Sequence, residues 1–356
     1  MIELSNRQLE ILYAIIASYI KSGEPVSSGT VYAVLKLDVC ASTIRSDMSE
    51  LTAKGFIRKI HSSSGSIPSD RGYRLYASTI ADKLSYATDS DSVKAKLGRF
   101  LRNTEGTFGS LACELLNAVS KSTNCLAFFH FENLESIGIS KIQLVRVLDS
   151  AICIFVVFSD GSVKNKVLQI DRPFEQSELR CMEGLLGEYV VGTKLKDFSV
   201  VLLQGLVAKN GVRLPHLSAV LSEIADLVRG FLEDDFYFSS IPVEMFRSFE
   251  NKLTVFRVLN FMKDRFLLSD YVLKNRSNVR SVAVSVGEEN SYLGLGDFSI
   301  ISSACGVSKA LSGRVGVVGP VRMDYTSALY NLVCVSPFFS DLLLRCSKGN
   351  LSRNRG

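Results

Sequence analysis

Residues 5–76 constrain this chain more than any other stretch. Three short amphipathic segments, a tight turn and a Ser/Gly-rich hairpin follow one another there with little slack. The first segment opens on a capping box, Ser5 with Gln8, in which each side chain satisfies the other residue's orphan backbone N–H. Leu9, Leu12, Ile16, Tyr19 and Ile20 then share one helical face, and Gly23 supplies the left-handed stop. A second helix is expected over 28–35 and, after a turn, a third over 41–54. On the third, Ile44, Met48 and Leu51 recur at helical spacing and must face inward, so Thr43, Arg45, Ser46 and Glu50 face out. Residues 56–60 read as a strand carrying Arg58 and Lys59, 61–66 as a hairpin tip, and Ile67-Pro68 as the return. Ser69-Asp70 caps a further helix, with Tyr73, Tyr76 and Ile80 on one face and Arg71 and Arg74 left available for phosphates.

Two short helices joined by a tight turn and followed by a hairpin are the pattern of a winged helix-turn-helix. In that arrangement the second helix of the pair enters the major groove of DNA. The expected DNA-facing residues are Ser28, Ser42, Thr43, Arg45 and Ser46 on the helices, and Arg58, Lys59, Ser64, Arg71 and Arg74 on and beside the wing. Thr43, Arg45 and Ser46 approach bases, while the wing residues and arginines hold phosphates. Charge alone would not have suggested this. The net charge is +5, and residues 1–83 hold ten Lys or Arg against eight Asp or Glu. Binding must therefore come from local placement and dimerisation.

Beyond the wing, a polar connector is expected over 85–104, then helical spacing at Phe108, Leu111, Leu115 and Val119. Strand-like runs follow at 126–131, 137–148 and 151–158, with Ser159-Asp160-Gly161-Ser162 as a hairpin turn, and 175–190 is helical. Leu217, Val220, Leu221, Ile224, Leu227, Val228, Phe231 and Leu232 mark a long helix with a broad apolar face, and a second helical stretch is expected over 244–268. Strands return at 279–286, 298–305 and 313–318, then a helix over about 327–334 and a final helix after it. The fold class is α+β and multidomain.

Several stretches resemble those of the HrcA family of bacterial heat-inducible transcription repressors. They are Glu24-Pro25-Val26-Ser27-Ser28, Ser42-Thr43-Ile44-Arg45-Ser46-Asp47-Met48-Ser49-Glu50-Leu51, and residues 61–74 from His61 to Arg74. A second set lies far downstream, at Val286-Gly287-Glu288-Glu289-Asn290 and at Gly316-Val317-Val318-Gly319-Pro320-Val321-Arg322-Met323-Asp324-Tyr325. The resemblance implies a DNA-binding domain over 1–84, a linker over 85–104, a GAF-like domain over 105–191 plus 275–345, and an inserted dimerising domain over 192–274. Residues 346–356 form a basic tail. It also implies a homodimeric repressor of chaperone operons that binds an inverted-repeat operator, loses activity on heating and recovers with the chaperonin. The chain departs from the family pattern at Cys40-Ala41, where Ser-Pro is usual, and at Gly29, Ser46 and Ser66. The changes at Gly29 and Ser66 remove positive charge. They should lower affinity and flatten the salt dependence, because each phosphate neutralised contributes a slope of about 0.9.

Other readings find less in the sequence. Gly313, Gly316 and Gly319 do not form a dinucleotide fingerprint, and are read as turning the chain and packing closely while Arg322 and Tyr325 fix an internal or interdomain contact. His61, His130 and His216 share no metal spacing, so no metal, cofactor or catalytic residue is expected. The eight cysteines lack C-x-x-C pairing and read as reduced, buried cytosolic thiols, and the apolar run 151–158 is too short to span a membrane. A cytoplasmic regulator follows, and the alternative is a winged-helix regulator with a small-molecule pocket in its GAF-like domain.

Overall fold

A computed structural model describes residues 4–35, 40–60, 65–85, 107–133, 137–170, 175–233, 236–246, 253–264, 267, 271, 274, 282–308 and 311–347. The helix-turn residues 36–39, the hairpin tip 61–64 with Ser64 and His61, residues 86–104 of the expected linker and 348–356 of the basic tail lie outside them. The fold mixes helix and sheet.

Helix α1 (Asn6–Ser22) keeps its capping box, with Gln8 N–H donating to Ser5 Oγ at 3.2 Å and Ser5 N–H to Gln8 Oε1 at 3.2 Å. It stops at Gly23, whose φ of 77° is the left-handed conformation that a side chain disfavours. Helices α2 (Ser28–Leu35) and α3 (Ala41–Ala53) follow, and Val31, Ile44 and Leu51 pack with Ile11, Leu12 and Ile15 of α1. Strands β1 (Ile57–Lys59) and β2 (Ser66–Pro68) pair antiparallel, and Val26 adds a third edge by exchanging backbone hydrogen bonds with Ser66. Ser66, expected at the wing, is buried in this small sheet. Helix α4 (Asp70–Ser85) then leads towards the rest of the chain.

Helix α5 (Phe108–Thr123) precedes strand β3 (Leu126–Asn133). Strands β4 (Ile139–Leu148), β5 (Ala151–Phe158) and β6 (Val163–Gln169) form a separate three-stranded antiparallel sheet in the order β4-β5-β6. Helices α6 (Gln176–Tyr189), α7 (Val200–Asn210) and α8 (Leu217–Glu233) accompany it. Phe158 of β5 stacks on Phe231 of α8 with centroids 3.9 Å apart, and Lys166 of β6 pairs with Glu223. The chain then returns through β7 (Phe236–Phe238), helix α9 (Leu253–Lys263), β8 (Val282–Val286), β9 (Phe298–Ser308) and β10 (Leu311–Pro320). These strands complete a five-stranded sheet in the order β7-β3-β10-β9-β8. The chain closes on helix α10 (Tyr325–Ser347).

The three-stranded sheet with its helices lies in sequence between β3 and β7, after residue 133 and before 236. Strand propensity shows that 137–170 is extended but carries no mark of which sheet it joins. Of the second helical stretch expected over 244–268, the described residues contain a short 3-10 turn (Val243–Phe246) and α9.

The five-stranded sheet has two covered faces, as alternation along β3 requires. Phe129 and Phe131 face α5 and α10, with Phe129 stacked on Phe339 at 4.7 Å. Leu126 and Phe128 face a second core with Val258 and Phe261 of α9 and with Tyr271. Helix α10 runs past the expected end at 334 and straight through Pro337. At its full extent it is long and apolar enough to cross a membrane, a property hidden by the shorter helix expected there. Ala328, Leu329, Leu332, Val335, Phe339, Leu342 and Leu343 are buried, so its apolar side serves as core.

Candidate nucleic-acid interface

Helix α3 is held to α1 by contacts that leave its opposite face free. Asp47, 3% exposed, takes Arg7 Nε at 2.7 Å, and Gln8 Nε2 donates to Glu50 at 2.7 Å. Neither strap was read from the sequence, because residues forty positions apart give no local signal. The buried stripe of Ile44, Met48 and Leu51 fixes the rotation of the helix. On the far side Ser42, Arg45 and Ser46 are exposed and Thr43 is half-buried. Ser28 lies half-buried at the start of α2, and Arg45 Nε reaches its Oγ at 3.5 Å, so the two helices present these residues together. Arg58 and Lys59 stand exposed on β1.

Two of the arginines expected to hold phosphates are otherwise engaged. Arg71 donates from Nη1 to the Lys54 carbonyl at 2.9 Å and lies over the Phe56 ring at 4.6 Å. Arg74 faces away from the α3 surface: its Nε is 3.5 Å from Glu289 Oε1, and its Nη1 donates to the Val284 carbonyl.

The N-cap of α3 is Cys40, a weaker capping residue than serine, and its side chain makes no cap hydrogen bond. Its Sγ is 2.9 Å from Ser42 Oγ and 3.2 Å from Thr43 Oγ1. The Ser42 contact, then that of Thr43, lowers the exposed thiol's pKa to about 6. Cys40 and Cys181 are thus exposed, against the expectation of buried thiols, whereas Cys125, Cys153 and Cys305 are buried. Cys40, Cys113, Cys125, Cys153, Cys181 and Cys305 are free thiols.

The downstream motif lies where the N-terminal module meets the sheet. Gly313, Gly316 and Gly319 lie inside β10 and turn nothing. A Cβ at Gly316 would collide with the Phe128 ring, and one at Gly319 with Cys125 Sγ, so both permit close packing. After Pro320, Arg322 reaches back to α1, its guanidinium 5.8 Å from the Tyr19 ring centroid and against Gly23. Met323 is buried against Cys125 Sγ at 3.8 Å. Tyr325, fully buried, stacks on Tyr73 of α4 at 5.5 Å and bonds Ser299 Oγ at 2.7 Å. Asp70 Oδ2 accepts the Glu288 N–H at 3.0 Å. Among the described residues no three His, Cys, Asp or Glu side chains converge as a metal site.

A family model described as the HrcA protein C terminal domain matches residues 111–329. A heat-inducible transcription repressor HrcA from Lachnoclostridium phytofermentans is 27% identical over 348 residues, covering 93% of this chain and 96% of that protein. One from Leifsonia xyli subsp. xyli is 29% identical, covering 96% and 99%. A crystal structure described only as a hypothetical protein at 2.2 Å superposes with a TM-score of 0.65 and 20% identity, covering 98% of this chain and 99% of that one, which establishes a shared fold. The class so defined is a DNA-binding transcription repressor of the heat-shock response. The chain belongs to the HrcA family.

Proposed function

We propose that this chain represses heat-shock operons as a cytoplasmic homodimer bound to an inverted-repeat DNA operator. The N-terminal module is read as a winged helix-turn-helix with α3 in the major groove, and the five-stranded sheet with its helices as a GAF-like domain. One observation carries the reading: the face of α3 turned from α1 is a row of exposed polar side chains, beside a strand bearing Arg58 and Lys59. Thr43, Arg45 and Ser46 approach base edges, while Ser28, Ser42, Arg58 and Lys59 serve the backbone. Repression is steric and needs no catalytic residue.

The inserted unit supports the dimer. Helix α7 is apolar around most of its circumference, and a helix of that kind is ordinarily buried. Yet Val201 is 78% exposed and Val212, just past its end, is fully exposed. Val145, Val163 and Val167 are also exposed on the three-stranded sheet, where Val145, Cys153 and Val167 lie in register. A second copy covers this surface in the proposed assembly. Heat inactivation and recovery with the chaperonin are part of this proposal, supported by the resemblance to the family, and a heated sample whose DNA binding chaperonin leaves unchanged would remove that part.

The test is binding to a labelled inverted-repeat duplex and a scrambled duplex across a salt series, with Arg45→Ala beside the wild type. The expected outcome is a preference for the repeat that Arg45→Ala reduces by about 1–3 kcal/mol. Equal, weak binding of both duplexes with and without chaperonin would sink the reading.

A further inference from the structure

A cleft of about 880 Å³ opens where the N-terminal module meets the five-stranded sheet. Its lining includes Arg58 from the hairpin, Tyr73 and Asp70 from α4, and Glu288, Ser291 and Arg322 from the body. Tyr73 is 2% exposed, and its hydroxyl is buried with no hydrogen-bond partner. Such a group is costly to bury unsatisfied, and each instance calls for a cause. Burial also pushes the phenol's pKa upward, so it remains a proton donor.

The charges in the cleft are unequally committed. Neither Arg58 nor Arg322 has a carboxylate partner among the described residues, and Arg322 is held only over the Tyr19 ring and against Gly23. The acids are more engaged: Asp297 takes Arg257 Nη1 at 2.8 Å, and Asp70 takes the Glu288 N–H. Two guanidinium groups and an orphan phenol donor suit the oxygens of a phosphate. The Glu288 carboxylate and the Ser291 hydroxyl suit neutral hydroxyl groups on the same molecule. The volume falls in the range of small-metabolite sites.

We propose that this cleft binds a phosphorylated, hydroxyl-bearing small molecule, with Arg58, Arg322 and the Tyr73 hydroxyl on the phosphate and Glu288 and Ser291 on the hydroxyl groups. Its ligand bridges the DNA-reading module and the body. It also occupies Arg58, which the proposed function assigns to the DNA backbone, so ligand and operator compete for one guanidinium.

The experiment is titration calorimetry and thermal shift on the full-length protein without DNA, so its outcome stands whatever the operator assay gives. The probes are ribose 5-phosphate, inorganic phosphate and ribose at matched ionic strength, with wild type, Arg58→Gln and Tyr73→Phe. Saturable binding is expected for ribose 5-phosphate, weaker for phosphate and absent for ribose, with affinity falling at least about tenfold in both variants. Tyr73→Phe keeps the ring on Tyr325 and removes only the orphan hydroxyl, so its unliganded melting temperature should hold or rise. No saturable response to either phosphate compound overturns the proposal, as does binding that both variants leave unchanged.

Discussion

Cys40 shows how a thiol changes the chemistry of a helix end. A serine there caps by accepting a backbone N–H; the thiol instead gathers the Ser42 and Thr43 hydroxyls around a sulfur whose pKa falls to about 6. The thiolate is the reactive form, and an ordinary free thiol ionises near pH ~8.5. Iodoacetamide labelling followed by peptide mass spectrometry should therefore reach half its maximal rate near pH 6 at Cys40. Cys125, pushed up to about 12 by burial, should stay unlabelled in the folded protein. A Cys40 midpoint above pH ~8 would show that the hydroxyls do not hold the anion. At this scale the sequence was informative where side chains act locally. Ser5, Gln8 and Gly23 announced the ends of α1, and the outward Thr43, Arg45 and Ser46 followed from the inward Ile44, Met48 and Leu51. The commitments of Arg71 and Arg74 were not legible, because their partners Lys54, Val284 and Glu289 are set by tertiary contact.

Among the elements, α7 and the β4-β5-β6 sheet separate what pattern can reveal from what it cannot. Periodicity located the extended runs, but joining one sheet or another depends on hydrogen bonds that a strand offers equally to any neighbour. Helix α10 was foreshortened for a similar reason. A proline normally ends or kinks a helix, yet here Val335, Phe338 and Phe339 on either side of Pro337 are buried and hold the helix on the sheet. The exposed valines of the inserted unit give an element-level prediction. Val201→Lys combined with Val212→Lys should leave the circular dichroism spectrum intact and shift the mass by light scattering from dimer to monomer. An unchanged dimer would place the subunit contact elsewhere.

For the whole molecule, the governing contact is the seam between the N-terminal module and the five-stranded sheet. It holds a half-exposed ion pair, Arg74 with Glu289, beside a fully buried aromatic pair, Tyr73 with Tyr325. Exposed ion pairs contribute about 0–1 kcal/mol, whereas truncating a buried aromatic costs about 3–5 kcal/mol. Glu289→Gln should thus lower unfolding free energy by less than about 1 kcal/mol and Tyr325→Ala by several times more, as measured by denaturant titration. Comparable losses would mean that charge, not packing, fastens the seam. The path of the chain through the sheet has its own consequence. His130 pairs with Phe236 across neighbouring strands, although the entire three-stranded unit separates them in sequence. The unit therefore leaves and rejoins the sheet at adjacent points, like a cassette clipped into a single socket. A lineage could lengthen, trade or delete such a cassette while the sheet beneath it kept its register.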